Sequence, residues 1–228
     1  MKNQTLLLLP GALGSSKDFT HWMPLLEKQF RIETFDYPGH NGKIANQPFS
    51  IQYFANAVND FLHSISTNNI HVFGFSMGGY IALYLETLHP KTFKSIVTLG
   101  TKYNWTKEFA EKEILNLNPQ KMEEKVPAFV NHLEKMHGAS WKEVVEGTAD
   151  LMISLGQQPL LNKENLIKIE TQTTICLGEL DNMVSKIEAQ EMAGMIPNSE
   201  FKLLLNMKHP IEKVDPQFLF DIIQNDSF

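Results

Sequence analysis

The stretch Ile70-His-Val-Phe-Gly-Phe-Ser-Met-Gly-Gly-Tyr80 decides the fold. Its first half is a short apolar run with β-branched residues, which predicts a buried strand over Ile70–Gly74. The apolar spacing that follows predicts a helix over Met77–Leu88, so Gly74-Phe75-Ser76-Met77-Gly78 falls where a strand turns sharply into a helix. A serine on such a turn adopts a strained backbone, and side chains two residues to either side would collide, so the glycines have a steric reason. The turn lifts the Ser76 hydroxyl out of the sheet beside a helix N-terminus, where free amides favour a developing negative charge. A G-x-S-x-G string alone is common; the strand-turn-helix setting makes it read as a nucleophile.

A hydroxyl needs a base, and the base needs an orienting acid. With a serine in this setting the chain order is serine, acid, histidine. Of eight histidines, His209 alone follows a late apolar run, in Leu203-Leu-Leu-Asn-Met-Lys-His-Pro, where a loop at the carboxyl end of a sheet reaches Ser76. The acid belongs just past the preceding strand, and Asp181 in Thr174-Ile-Cys-Leu-Gly-Glu-Leu-Asp takes that position, with Glu179 as the rival. No carboxylate lies between Gly100 and Thr106, the other place this arrangement allows. Oxyanion donors are expected at the amide of Met77 and at Ala12, in the glycine loop Pro10-Gly-Ala-Leu-Gly-Ser15. Leu13, Tyr37, Trp105 and some methionines of the middle segment are candidates for pocket walls. His132 and His137 are five apart, off the spacing of a helical metal pair, and read as a solvated face; no metal site is expected.

Around this centre, apolar runs alternate with amphipathic stretches, the rhythm of a mostly parallel α/β sheet. Six strands are predicted, at Thr5–Leu9, Arg31–Phe35, Ile70–Gly74, Ser95–Leu99, Thr174–Gly178 and Phe201–Leu205. Helices are predicted at Phe19–Lys28, Ile51–Ile65, Met77–Leu88, Ser185–Met195 and Gln217–Gln224. Between Gly100 and Thr173 the rhythm breaks, and the composition is helical: Asn118-Pro119 opens a segment, Pro127 divides it, Gly138 ends it, and Ser140-Trp-Lys-Glu143 reads as a capping box. Met122, Phe129, Met136, Trp141 and Met152 form an apolar stripe expected chiefly to pack this insertion onto the main body. The division expected is a core of residues 1–100 and 174–228 with a helical cap at 101–173.

These motifs resemble the α/β-hydrolase superfamily, and within it small, cap-bearing serine esterases. The resemblance runs nearly end to end, through Leu8-Leu-Pro-Gly-Ala-Leu-Gly-Ser15, Asp36-Tyr-Pro-Gly-His-Asn-Gly42, Gly74-Phe-Ser-Met-Gly-Gly79, Leu177-Gly-Glu-Leu-Asp-Asn-Met-Val184 and Lys208-His-Pro-Ile-Glu-Lys-Val-Asp-Pro216. It implies a three-layer α/β/α sandwich on a six-stranded sheet of order 4-3-5-6-7-8 in the family's strand labels, with a helical cap. Pro10 stands where the family's loop carries histidine, Asn41 replaces a turn glycine, and, with the first strand read at Thr5, the N-terminal hairpin of larger relatives is not expected. The resemblance implies hydrolysis of small to medium, apolar carboxylic esters or thioesters through an acyl-enzyme. Serine rather than aspartate at position 76 disfavours the dehalogenase and epoxide hydrolase branches. C–C hydrolysis or elimination by the same three residues, or a non-catalytic ligand receptor, are the alternatives.

Composition narrows the partners. The 228 residues are 43% hydrophobic and 20% charged, enough for a core, and the net charge of −6 argues against nucleic acid and anionic membrane surfaces. Pro10 interrupts the leucine run after Leu6–Leu9, so a strand is expected there rather than a signal peptide, and no stretch is long enough to span a membrane. One cysteine, Cys176, excludes an intrachain disulfide and suits the cytoplasm. Arg31 is the single arginine and opens a strand at the end of the sheet opposite the candidate site, which makes a polyanionic substrate improbable. The expected partner is a small-molecule substrate, without a cofactor, for a monomer or homodimer.

Overall fold

The structure, a computed structural model, describes residues 4–65, 69–215, 217, 221 and 222. The predicted helix Gln217–Gln224 falls largely outside them. Strands β1 (Thr5–Leu9), β2 (Arg31–Thr34), β3 (Ile70–Phe75), β4 (Ser95–Leu99), β5 (Gln172–Gly178) and β6 (Ser199–Leu204) form one sheet in the order β2-β1-β3-β4-β5-β6. Every pairing is parallel. That is the implied order, with every predicted strand in place to within two residues. A parallel sheet must be covered on both faces, which is why β1, β3 and β4 are buried throughout.

The helices are α1 (Met23–Leu26), α2 (Ile51–Ser64), α3 (Met77–Leu88), α4 (Lys107–Glu113), α5 (Pro119–Lys125), α6 (Pro127–His137), α7 (Trp141–Gln157), α8 (Lys163–Leu166) and α9 (Lys186–Met195). Alternation of side chains along β1 splits the core by face. Leu7 and Leu9 pack with α2, α3 and α9, while Leu6 and Leu8 pack with Phe19, Trp22, Leu26 and Phe30. The helix expected at Phe19–Lys28 is shorter than predicted. Ser15 and Asp18 close a reciprocal cap on a 3-10 turn at Ser16–Phe19, and Pro24 then starts the single turn of α1.

Helices α4 to α8 lie between β4 and β5, as the broken rhythm predicts. Asn118 caps α5, α6 starts anew at Pro127, and Gly138 ends α6 at φ +67. The Ser140 capping box does not form. Ser140 is the last residue of a 3-10 turn at Gly138–Ser140, with φ −85 and ψ +10, and its hydroxyl donates instead to the His137 carbonyl at 2.9 Å. The apolar stripe also divides. Met122 and Trp141 join Val130, Leu133 and Val145 in a cluster of the insertion, against which Leu13 of the glycine loop packs, while Met152 packs against the main core. Trp105, Ala110, Leu151 and Leu155 belong to the main core, so α4 and α7 are fused to the sheet layer through shared packing.

Candidate active site

Ser76 lies between β3 and α3 with φ +50 and ψ −114, a region that costs a non-glycine residue of order 1–3 kcal/mol. The neighbouring glycines permit it. A Cβ on Gly74 would overlap the Gly79 backbone, and one on Gly78 would overlap the Leu9 carbonyl. The turn is held from outside by the Ser76 amide donating to the Leu99 carbonyl at 2.8 Å and by the Thr101 hydroxyl donating to the Ser76 carbonyl at 2.9 Å.

Asp181 and His209 arrive from the loops after β5 and β6. Asp181 Oδ2 lies 2.7 Å from His209 Nδ1, and Asp181 Oδ1 accepts the Met183 and Val184 amides at 2.8 and 3.0 Å. The carboxylate is almost wholly buried, at 1% side-chain exposure against 12% for the imidazole. Nδ1 therefore donates to a fixed acceptor, which leaves the lone pair on Nε2. Both groups crowd Gly100, where a Cβ would meet Asp181 Oδ2 and His209 Nδ1 at 3.1 Å each, at a backbone φ of +61. Glu179, the rival acid, instead accepts the Asn206 amide at 3.0 Å in an exposed loop.

Ser76 and His209 line the same cavity, of about 440 Å³, together with Gly11, Ala12 and Leu13. They also line a smaller inner one of about 40 Å³ with Met77, Tyr80 and Trp105. Among the described residues, the amides of Ala12 and Met77 have no protein hydrogen-bond partner. Of the three residues expected at pocket walls, Leu13 lines the outer cavity and Trp105 the inner one. Tyr37 lines neither. It is fully buried, stacks on Phe54 with ring centroids 4.9 Å apart, and donates its hydroxyl to the Pro10 carbonyl at 3.3 Å. It supports the glycine loop from the core side and touches neither cavity, because the chain after β2 turns its ring inward.

His137 also departs from the solvated face expected of it. It is buried, with Nε2 at 2.9 Å from the Leu13 carbonyl and Nδ1 accepting the Asn41 amide at 3.0 Å, so it ties α6 to the glycine loop and to the turn after β2. Burial holds its pKa below the ordinary imidazole value. Asn41, at the turn glycine position, takes φ +50, which asparagine tolerates better than most residues. Residues not singled out by sequence complete the walls: Thr148 of α7 and Met183 of the loop after β5 border both cavities, and Glu113 the outer one. Thr148 and Glu113 lie far from Ser76 along the chain and no local motif marks them, and Met183 sits in the motif that carries Asp181 without being marked as a wall.

Asp18, His132 and Glu212 converge at the rim of the outer cavity, each offering a ligand atom within 4.8 Å of the others. These are the described residues that could hold a metal ion. Burial, with repulsion from Glu212 and Asp36, raises the Asp18 carboxyl to about 6 against the lowering effect of the Ser15 amide and His132.

The comparisons agree with this architecture. The frog (Xenopus laevis) monoacylglycerol lipase abhd6-A is 24% identical over 94% of this chain and 73% of its own. An esterase of Exiguobacterium antarcticum superposes with a TM-score of 0.80 at 21% identity, over 99% of this chain and 92% of its own. NosK of Streptomyces actuosus superposes with a TM-score of 0.81 at 17% identity, over 98% of this chain and 97% of its own. Among the described residues no helix is long and apolar enough to cross a membrane. The family model for the alpha/beta hydrolase fold matches residues 4–211, and the chain belongs to that family of hydrolases.

Proposed function

We propose that this chain is a serine hydrolase that cleaves carboxylic esters or thioesters of small to medium, apolar substrates. In this reading Ser76 Oγ attacks the carbonyl carbon while His209 Nε2 takes its proton. The tetrahedral oxyanion is held by the Ala12 and Met77 amides at the start of α3. The C–O bond to the alcohol breaks as His209 returns the proton to the leaving oxygen, which leaves an acyl-Ser76. Water then attacks the acyl carbon, passes a proton to His209, and releases the acid as the serine is restored. Asp181 fixes the imidazole tautomer and balances its transient charge.

One observation carries the reading: the 2.7 Å Asp181–His209 contact opens onto the same cavity as the strained Ser76. The single cysteine, Cys176, is buried, and the sequence offers no second cysteine for an intrachain disulfide, which is compatible with a reducing compartment such as the cytoplasm. The test is hydrolysis of p-nitrophenyl acetate and butanoate by the wild type and by Ser76→Ala, with products identified by mass. The wild type should release acid and alcohol, and the variant should lose roughly four to six orders of magnitude in kcat/KM. Equal rates would reject Ser76 as the nucleophile, and diketone cleavage without ester hydrolysis would favour C–C chemistry.

A further inference from the structure

Two cavities meet at Ser76, and they differ in kind. The outer one, about 440 Å³, reaches the surface past the carboxylates of Asp18, Glu113 and Glu212. The inner one, about 40 Å³, runs under α4 and α7 and is walled by Ile51, Tyr80, Trp105, Phe109, Leu151 and Leu155. Its walls are held in place. The Tyr80 hydroxyl accepts the Leu160 and Leu161 amides at 3.0 Å each. The Trp105 indole donates to the Lys102 carbonyl at 3.2 Å and meets Phe109 edge-on. The nearest cation, Lys102, is neutralised by Glu188 at 2.5 Å.

A third, smaller cavity of about 20 Å³ lies beyond, bordered by the polar residues Ser50, Gln52, Ser154 and Gln158. Ile51, Leu151 and Leu155 border both it and the inner chamber, so these three side chains form the partition between them. Leu155 and Leu151 are buried at 4% and 3% exposure, and Ile51 at 1%.

The order of events at Ser76 decides which half of an ester goes where. The alcohol must depart while the acyl group stays bonded to the serine, and water must then reach the acyl carbon. Of the two, the outer cavity is the larger and the more open and offers that traffic; the inner chamber is apolar and ends at the partition. We propose that the acyl group occupies the inner chamber, the alcohol faces the outer cavity, and the Ile51–Leu151–Leu155 partition sets acyl length at roughly two to four carbons, as the chamber volume allows. This rests on the hydrolase reading above. Truncating Leu155 joins the chamber to the polar cavity behind it and gives longer chains a way through.

Two reciprocal ester series test it on the intact protein: p-nitrophenyl esters from acetate to octanoate, and acetates of alcohols from ethanol to octanol. The wild type should lose at least about tenfold in kcat/KM between butanoate and hexanoate, and little along the alcohol series. Leu155→Ala should raise the hexanoate-to-butanoate ratio by about tenfold, and Leu155→Val by less. Because each ratio is internal to one protein sample, a partly unfolded variant does not distort it, and Leu155→Val covers the case in which the alanine variant fails to fold. A flat acyl series, a steep alcohol series, or ratios unmoved by both variants would overturn the partition while leaving ester hydrolysis intact. Absence of turnover on every ester in both series would overturn the hydrolase reading and the partition together.

Discussion

At the amino ends of β3 and β4, His71 Nδ1 lies 2.8 Å from Ser95 Oγ. At the carboxyl end of the same β3, Ser76 and His209 face a common cavity. Both regions contain a serine and a histidine, yet their surroundings are opposite. His71 and Ser95 sit in paired register inside the sheet, both buried, with Phe30 against the imidazole. Ser95 occupies ordinary strand backbone, whereas Ser76 is held at φ +50 ahead of a helix. Asp181 lies 2.7 Å from His209, while the other ring nitrogen of His71 has no partner among the described residues. Proximity of a hydroxyl to an imidazole is therefore not what makes a reactive serine. On the proposed reading a reactive serine needs strain, an orienting carboxylate, oxyanion-binding amides and a cavity, and the candidates for all four coincide at one end of the sheet.

The largest effect that sharpens this contrast is on the carboxylate. Asp181→Asn should lower kcat by about 10⁴ by favouring the wrong imidazole tautomer, with the fold retained by circular dichroism. A loss under tenfold would put the two regions on the same footing.

Acid should expose a second difference, because burial keeps the core imidazoles neutral. His71 and His137 are both held below the ordinary histidine value, and His40, packed among Tyr37, Phe49 and Phe54, is lowered to about 4. In each case the unfolded chain takes up a proton that the folded chain refuses. Stability from His40 is intact above about pH 6.5 and is lost as the pH falls toward 4. Asp18, raised to about 6, acts in the opposite direction: its cost to the fold is absent below about pH 3.8 and grows as the pH rises toward 6. The informative quantity is thus a difference. In urea titrations, wild type minus His40→Phe should change by about 2 kcal/mol between pH 7 and pH 5, with the wild type losing relative stability in acid. A constant difference would show that His40 titrates normally.

The smallest effect belongs to the pair in the sheet. Ser95→Ala should cost about 1 kcal/mol of unfolding free energy by leaving His71 without its partner, with kcat/KM on p-nitrophenyl butanoate within about twofold of wild type. A folded Ser95→Ala protein without activity would break the comparison outright.

Much of this was legible in the chain because it is local. The G-x-S-x-G turn, the apolar runs of the strands and the Pro127 break are short-range signals, and the serine, acid, histidine order locates Asp181 and His209 once the strands are known. What was not legible depends on how distant segments meet. Tyr37 reads as a pocket aromatic until Phe54 and the Pro10 carbonyl claim it. His137 reads as a surface residue until Leu13 and Asn41 close around it. Ser140 has the spacing of a capping box but ends a 3-10 turn, with its hydroxyl given to the His137 carbonyl. The partition of Ile51, Leu151 and Leu155 has no sequence signature, because it joins the start of α2 to the far half of α7.

On the proposed reading, Ser76 is the one activated serine of the chain. A fluorophosphonate reacts only with an activated hydroxyl, so labelling followed by peptide mass mapping addresses it directly. A single adduct is expected on Ser76, lost in His209→Ala and kept in Ser95→Ala. An adduct on Ser95, or none on Ser76 in folded protein, would contradict it.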